Sequence, residues 1–280
     1  MNHLLRALAP ISEAGWAELD AEAKRQLNVS LAARKLIDFS GPHGWSYSCT
    51  NLGRTDRLPG SPTDGVSASL RRVLPLVELR SDFSLSRDEV ADVDRGALDI
   101  NIDELARAAR RIGLAENRAV FHGFPEAGIV GITESSSHDP IPLSEDVNEY
   151  PRDVAKAVEE LLRCGVGGPY GLALGPAGYT GVIETTEHGG YPLFEHLRDI
   201  LGGPIVWAPG VQGAVVVSLR GGDFLFEAGQ DLALGYDHHD SNSVYLYFEE
   251  SFSFRVVTNE ASVPLTAPEV PAGELPPSRT

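Results

Sequence analysis

The side chains best suited to chemistry stand together at Asp237-His238-His239-Asp240, where two imidazoles lie between two carboxylates. Both groups are ligands of transition metals, so the cluster allows a metal site. Neighbouring residues of a turn rarely point at one ion, however, and a solvated hairpin between two strands accounts for the same residues. We therefore predict a hairpin here and no resident metal.

Motifs of catalysis or nucleotide binding are absent from the sequence. No GxSxG, Walker-type loop or HExxH segment occurs, and the nearest approach to a dinucleotide-binding loop, residues 165–170, has Tyr170 where the third glycine should stand. A helix end followed by a turn into a strand explains that segment. His188 lies in a glycine-rich loop, and a Ser/His/Asp triad picked without a motif carries no information. We predict that the chain is not an enzyme.

Charge and composition narrow the function classes further. The 280 residues include 40 acidic and 23 basic side chains, a net charge of −17, whereas nucleic-acid binders cluster Lys and Arg against phosphates. The two cysteines, Cys49 and Cys164, form no zinc or disulfide pattern, which indicates a reducing cytoplasm. No apolar run reaches the roughly 18 residues of a membrane span. We expect neither nucleic acid nor a membrane as a partner.

Hydrophobic periodicity predicts an α+β chain. An amphipathic helix over residues 12–31 carries its apolar side chains three or four positions apart, and a second, with Asn101 as N-cap, ends at Gly123. Further helices are predicted from Pro151, Pro176 and Pro192, and strands over residues 170–174, 205–207 and 214–219. Residues 244–256 predict one long strand, or two strands joined by a bend at Glu250, with one buried face. Residues 47–70 are too polar for a core and predict a long hairpin or loop.

Short segments along the chain resemble the encapsulin shell proteins. They include Leu8-Ala9-Pro10-Ile11 followed by Trp16, Arg34-Lys35-Leu36-Ile37-Asp38, Phe121-His122-Gly123, Arg220-Gly221-Gly222-Asp223-Phe224 and Gly229-Gln230-Asp231-Leu232. The resemblance extends in order over residues 1–266 and leaves only the proline-rich tail outside it.

The resemblance implies the tailed-phage major capsid fold, an α+β architecture with a P-domain, an E-loop and an A-domain. By position, the N-terminal helix and the start of the P-domain take residues 1–46, the E-loop 47–72, the P-domain with its spine helix 73–132, the A-domain 133–223, the P-domain return strands 224–266 and the tail 267–280.

The function implied is self-assembly into an icosahedral nanocompartment of roughly sixty subunits, or a small multiple of sixty. Such shells enclose a cargo enzyme, commonly a dye-decolorizing peroxidase or a ferritin-like iron oxidase, for oxidative-stress defence or iron storage. The cargo docks through a C-terminal targeting peptide in an apolar groove, with Arg34 and Asp38 as polar registers. The peptide-binding positions carried over are Leu27, Leu31, Arg34, Leu36, Asp38, Phe39, Asp231, Leu232 and Tyr236.

The resemblance also assigns Glu187, His188, Gly189 and Gly190 to the pore on the fivefold axis, where a ring of Glu187 would favour cations. Some members bind flavin through a Trp just after the strand that contains Leu85. Here residues 86–88 are Ser, Arg and Asp, so no flavin or other cofactor is expected.

Two other interpretations stay open. A phage or prophage major capsid protein would share the fold but serve a different partner. A hydrolase or bacteriocin is the second, since members of the family have carried such labels, although the missing nucleophile motif counts against it.

Overall fold

The computed structural model describes residues 3–186 and 190–267. No helix within these residues is both long and apolar enough to cross a lipid bilayer. The chain divides into two compact units. The first comprises Met1–Ser135, Ala208–Gly210 and Gly221–Asn259, and the second Ser136–Trp207, Val211–Arg220 and Glu260–Thr280. Residues 260–266 thus group with the second unit, whereas the sequence-based boundaries put them with the return strands of the P-domain.

The described residues form seven α-helices and twelve strands. The helices are α1 (Glu13–Ser30), α2 (Arg87–Asp94), α3 (Asp103–His122), α4 (Ile132–Ser135), α5 (Tyr150–Arg163), α6 (Pro176–Glu184) and α7 (Leu193–Leu201). The strands are β1 (Asp38–Ser40), β2 (Cys49–Arg57), β3 (Ser69–Pro75), β4 (Val77–Ser86), β5 (Ile141–Pro142), β6 (Tyr170–Leu174), β7 (Ile205–Trp207), β8 (Ala214–Ser218), β9 (Phe224–Ala228), β10 (Ala233–His239), β11 (Ser243–Val256) and β12 (Ser262–Thr266).

The sheet of the first unit is organised by β11, its longest strand. On one side β11 pairs with β4 along most of its length, and on the other with β10 and then with β9, which in turn pairs with β1. The predicted single buried face is wrong, because residues 246–254 of β11 are buried on both faces. One face packs on α1 and α3. On the other, Ser253 bonds the buried Thr50 at 2.7 Å, so the base of the β2–β3 hairpin covers it.

The helices α1 and α3 form the second layer of this unit. Trp16, Leu19 and Ala23 of α1 pack with Leu105 and Ile112 of α3 against the sheet. Local capping residues fix the ends of both helices. Ser12 is the N-cap of α1, and its side-chain oxygen accepts the Gly15 N–H at 3.0 Å. The N-cap of α3 is Ile102, one residue later than predicted, because Asn101 forms a turn with the Asp103 N–H instead. Gly123 closes α3 as predicted, with φ of 87°.

The Asp-His-His-Asp cluster covers the last three residues of β10 and the first residue of the β10–β11 turn, and the predicted hairpin is confirmed. Asp240 accepts the backbone N–H groups of Asn242 and Ser243 at 2.7 and 2.8 Å, which closes the turn. His238 stacks on Tyr245 with the ring centroids 4.1 Å apart. In the part of the chain that the structure describes, no three His, Cys, Asp or Glu side chains are grouped to hold a metal ion.

The second unit is a five-stranded sheet in the order β5-β12-β8-β6-β7, with α5, α6 and α7 as its helices. The buried strands β6 and β8 are continuous apolar runs, which is why they were readable from sequence. The segment from Gly165 to Tyr170 is the end of α5 and a turn into β6, as predicted. Residues 47–75 of the first unit form the predicted hairpin, β2 with β3, most of it exposed.

Asn117 joins α1 to α3 through buried hydrogen bonds. Its Oδ1 accepts the N–H groups of Ala32 and Ala33 at 2.9 and 3.1 Å, and its Nδ2 donates to the carbonyl of Ser30 at 2.8 Å. A single side chain therefore holds the backbone that leaves α1.

We expect Asn117→Ala to lower the free energy of unfolding by about 2–4 kcal/mol, because it leaves several buried backbone groups without a partner. Urea unfolding of the purified protein measures the change. Asn28→Ala, at an exposed position on α1, is the matched control and should have little effect. Equal stability of the two variants would contradict the role of Asn117.

Candidate functional site

A groove of about 430 Å³ lies between α1 and the segment that begins β10. Its apolar lining comes from both sides and from β11 beneath: Ala23, Leu27, Leu31, Leu232, Ala233, Leu234 and Phe248. The α1 residues recur every four positions, so they form one stripe along the helix. Leu27 is buried, while Leu31 and Leu232 are only partly covered and leave apolar surface open to solvent.

Charged side chains border the groove at both ends. At one end Arg6 pairs with Asp20 at 2.7 Å and lies over the ring of Trp16, 4.0 Å from its centroid. At the other end Arg34 pairs with Asp231 at 2.6 Å. Lys24 and Asn28 line the groove from exposed positions on α1. An apolar floor with polar ends suits an extended peptide rather than a small metabolite.

Arg34 is bound by three carboxylates. Besides Asp231, its guanidinium reaches Glu116 of α3 at 2.6 Å and Glu250 of β11 at 2.9 Å. The side chains of Glu116 and Glu250 are 0% and 1% exposed, against 41% for Asp231. Burial opposes the charge on Arg34, yet the adjoining Glu116 carboxylate, with Glu250 and Asp231, raises the pKa of Arg34 above its ordinary value. Most hydrogen-bonding capacity of Arg34 is therefore directed into the core.

The structure brings together five of the nine residues to which sequence assigned peptide binding, namely Leu27, Leu31, Arg34, Asp231 and Leu232. The other four lie outside the groove lining. Leu36 is a buried core residue, and Asp38 accepts the Gly222 N–H at 2.6 Å. Phe39 stacks on Phe226, and Tyr236 is buried with its hydroxyl 2.5 Å from His239. After Arg34 the chain turns to pair β1 with β9, and the Phe39 ring centroid lies 4.9 Å from the guanidinium carbon of Arg34.

Sequence reasoning missed Glu116 and Glu250, although a signal for Glu116 was present. It lies four positions after Ile112 on the apolar stripe of α3, so a buried and partnered carboxylate was foreseeable. Glu250 was treated as a possible bend in the strand, but β11 runs through it unbroken. Phe248 shares the inward face of β11 and could have been added to the groove by parity.

The predicted pore segment is mostly beyond what can be described. Glu187, His188 and Gly189 lie outside the described residues. Gly190 follows them with φ of 82°. Thr186 and Pro192, which flank the segment, pair in an isolated antiparallel bridge.

The fold matches proteins that build closed particles. The virus-like particle of Pyrococcus furiosus matches with a TM-score of 0.62 at 20% identity, over 89% of this chain and 98% of that chain. The capsid of a Myoviridae phage matches with a TM-score of 0.52 at 8% identity, over 85% and 92%. The chain therefore has the tailed-phage major capsid fold, as predicted.

Sequence relatives define the family within that class. The family model described as "Encapsulating protein for peroxidase" matches residues 1–253. The type 1 encapsulin shell protein of Rhodospirillum rubrum is 47% identical over 270 residues, which cover 95% of this chain and 96% of the relative. That of Mycobacterium tuberculosis is 43% identical over 266 residues, covering 95% and 100%. The chain belongs to the encapsulin shell protein family and self-assembles into a shell.

This membership decides between the interpretations left open by sequence. Two phage capsids share the fold at 8% and 14% identity, whereas the type 1 encapsulin shell proteins of Rhodospirillum rubrum, Rhodococcus erythropolis and Mycobacterium tuberculosis match 95% of the chain at 43–47% identity. Those relatives are named as shell proteins, so they give no support to the hydrolase or bacteriocin alternative.

We expect Arg34→Ala to destabilise the fold instead of acting on the groove alone. Removing the guanidinium leaves Glu116 and Glu250 buried without their cation, and breaking such an ion pair costs about 3–5 kcal/mol. Urea unfolding followed by circular dichroism measures the loss. Arg6→Ala removes a more exposed ion pair at the opposite end of the groove and should shift the midpoint far less. A midpoint unchanged by Arg34→Ala would show that the buried pair does not need the guanidinium.

Proposed function

We propose that the shell encloses an enzyme and holds it through a C-terminal peptide of that enzyme, bound in the groove beside α1. The observation that carries this proposal is the half-covered apolar surface of Leu31 and Leu232 above the buried Leu27. An extended peptide places alternate side chains on one side, which fits a narrow apolar floor with polar ends. The helix α1 supplies one wall, so the groove is already formed in the subunit.

The cargo we propose is a dye-decolorizing peroxidase or a ferritin-like iron oxidase. The description of the matching family names a peroxidase, which supports the first. The corresponding roles are oxidative-stress defence and iron storage. The shell itself is structural in this proposal, and the chemistry belongs to the cargo.

The shell carries roughly sixty subunits, or a small multiple, as icosahedral symmetry requires. With a net charge of −17 on each subunit, it attracts cations, and a ring of Glu187 at the fivefold pore would concentrate them there. No flavin is part of the proposal.

Electron microscopy of the purified chain tests the stoichiometry. We expect uniform hollow particles, and native mass spectrometry of the same sample should give a mass close to sixty subunits or a multiple of it. Particles of variable size, or a species that remains monomeric at every salt concentration, would contradict the proposed assembly.

Leu31→Asp tests the groove without disturbing the Arg34 cluster. We expect shells of normal appearance but at least tenfold less co-purified cargo, because a carboxylate placed on the apolar floor must be desolvated when the peptide binds. The readout is the ratio of cargo to shell by quantitative mass spectrometry, after co-expression with a dye-decolorizing peroxidase that carries a C-terminal targeting peptide.

Val29→Asp is the matched control for that experiment. Val29 lies on the same helix with 59% of its surface exposed and does not line the groove. Its variant should assemble and load cargo as the wild type does. Equal loading by the Leu31→Asp variant would place the cargo site elsewhere.

A further inference from the structure

Glu116 and Glu250 form a buried carboxyl pair that the shell and cargo functions do not explain. Arg34 donates a hydrogen bond to the Oε2 atom of each, at 2.7 Å to Glu116 and 2.9 Å to Glu250. The remaining oxygen of each, Oε1, is buried and has no donor within the described residues. Both Oε2 atoms lie against the same guanidinium nitrogen, Nη2 of Arg34, at 2.6 and 2.9 Å, so the two carboxyl groups are close neighbours. Two ionised carboxylates this close repel each other and can only accept hydrogen bonds, so the arrangement favours a proton on one of them.

The charge balance around the pair also favours one bound proton. The charged groups that face it are Arg34, from the turn after α1, and Asp231, from the loop before β10. With every carboxyl ionised, one cation would face three anions, two of them fully buried. An uncompensated buried charge costs several kcal/mol, and such a group takes up a proton instead.

Burial raises the pKa of Glu250 well above its ordinary value, and the Glu116 carboxylate raises it further, against the opposing effect of Arg34. Burial raises the pKa of Glu116 as well. The two groups therefore compete for one proton and titrate as a pair. Once that proton is bound, the core holds one cation, one anion and one neutral acid, and only Asp231 at the surface is unbalanced.

We propose that Glu116 and Glu250 share one bound proton at neutral pH, and that this proton-binding site positions Arg34 between the buried pair and Asp231 on the groove wall. The proton comes from solvent and returns to it when the pH rises. Its loss leaves two buried carboxylates on one guanidinium, which draws Arg34 inward and weakens its contact with Asp231. The site belongs to the groove of the proposed function, but its test needs no cargo, so either idea can fail without the other.

Infrared difference spectroscopy of assembled wild-type shells tests the shared proton directly. We expect the carbonyl stretch of a protonated carboxylic acid at neutral pH, disappearing as the pH is raised. Glu250→Gln and Glu116→Gln should each abolish that band, because either one leaves a single carboxylate facing Arg34. Loss in both variants distinguishes a shared proton from one isolated buried acid.

Glu249→Gln is the matched control. Glu249 is the neighbouring residue of β11, burial raises its pKa as well, and it lies 3.3 Å from His3 instead of Arg34. This variant should keep the band of the pair. The absence of any protonated-acid band in wild-type shells at neutral pH would overturn the proposal. A band that survives both pair substitutions, or that only Glu249→Gln removes, would overturn it equally.

The pH dependence of stability gives a second measurement. The pKa of the pair is raised in the folded protein, so folding takes up a proton. The stability that this proton contributes is lost as the pH rises from the pKa of an ordinary carboxyl group through the raised pKa of the folded pair. One proton changes the folding equilibrium constant by at most about tenfold per pH unit. The wild type should therefore lose stability with pH more steeply than Glu250→Gln in urea unfolding. Identical slopes would contradict the shared proton, and if neither Gln variant assembles, the wild-type spectrum decides alone.

Discussion

One buried guanidinium joins the parts of the first unit on which the groove depends. Arg34 binds Glu116, Asp231 and Glu250, which lie 82, 197 and 216 positions away along the chain. A cation in this position is costly to bury and is stabilised by acids that come from α3, β11 and the loop before β10. The cluster therefore forms only when these elements are correctly assembled. Asn117 adds a second constraint by fixing the backbone after α1.

The helices and most strands could be predicted because their signals are local. The apolar stripe of α1, the prolines that begin α5 and α6, and the continuous apolar run of β6 all lie within a few turns or residues of chain. The double burial of β11 could not be predicted in this way. Its second face carries polar residues such as Ser251 and Ser253, and these are buried because distant segments hydrogen-bond to them.

The site was only half predictable for the same reason. Leu27, Leu31, Asp231 and Leu232 were all assigned through the family resemblance, and the helical spacing of Leu27 and Leu31 agrees with a common face. Nothing in the sequence near residue 36 shows that the chain turns to pair β1 with β9, so the sequence did not indicate that Leu36 and Asp38 lie outside the groove lining. The partners of Arg34 were missed because ion pairs between distant segments leave no periodic pattern.

The Arg34 cluster and the apolar floor have different roles in the groove. Arg34 directs its bonds mainly to buried acids, so it shapes the wall more than it recognises a ligand, and affinity must come chiefly from the apolar floor. A floor of a few leucines gives modest binding, since full burial of each contributes only about 1.5–3 kcal/mol before ordering costs. In the proposed function, repetition over the subunits of a shell compensates for that weakness, because a cargo oligomer that carried several peptides would bind several grooves at once. A rigid, preformed groove of low intrinsic affinity is thus sufficient for a shell protein. The stability needed to preform it comes from the buried contacts behind the wall.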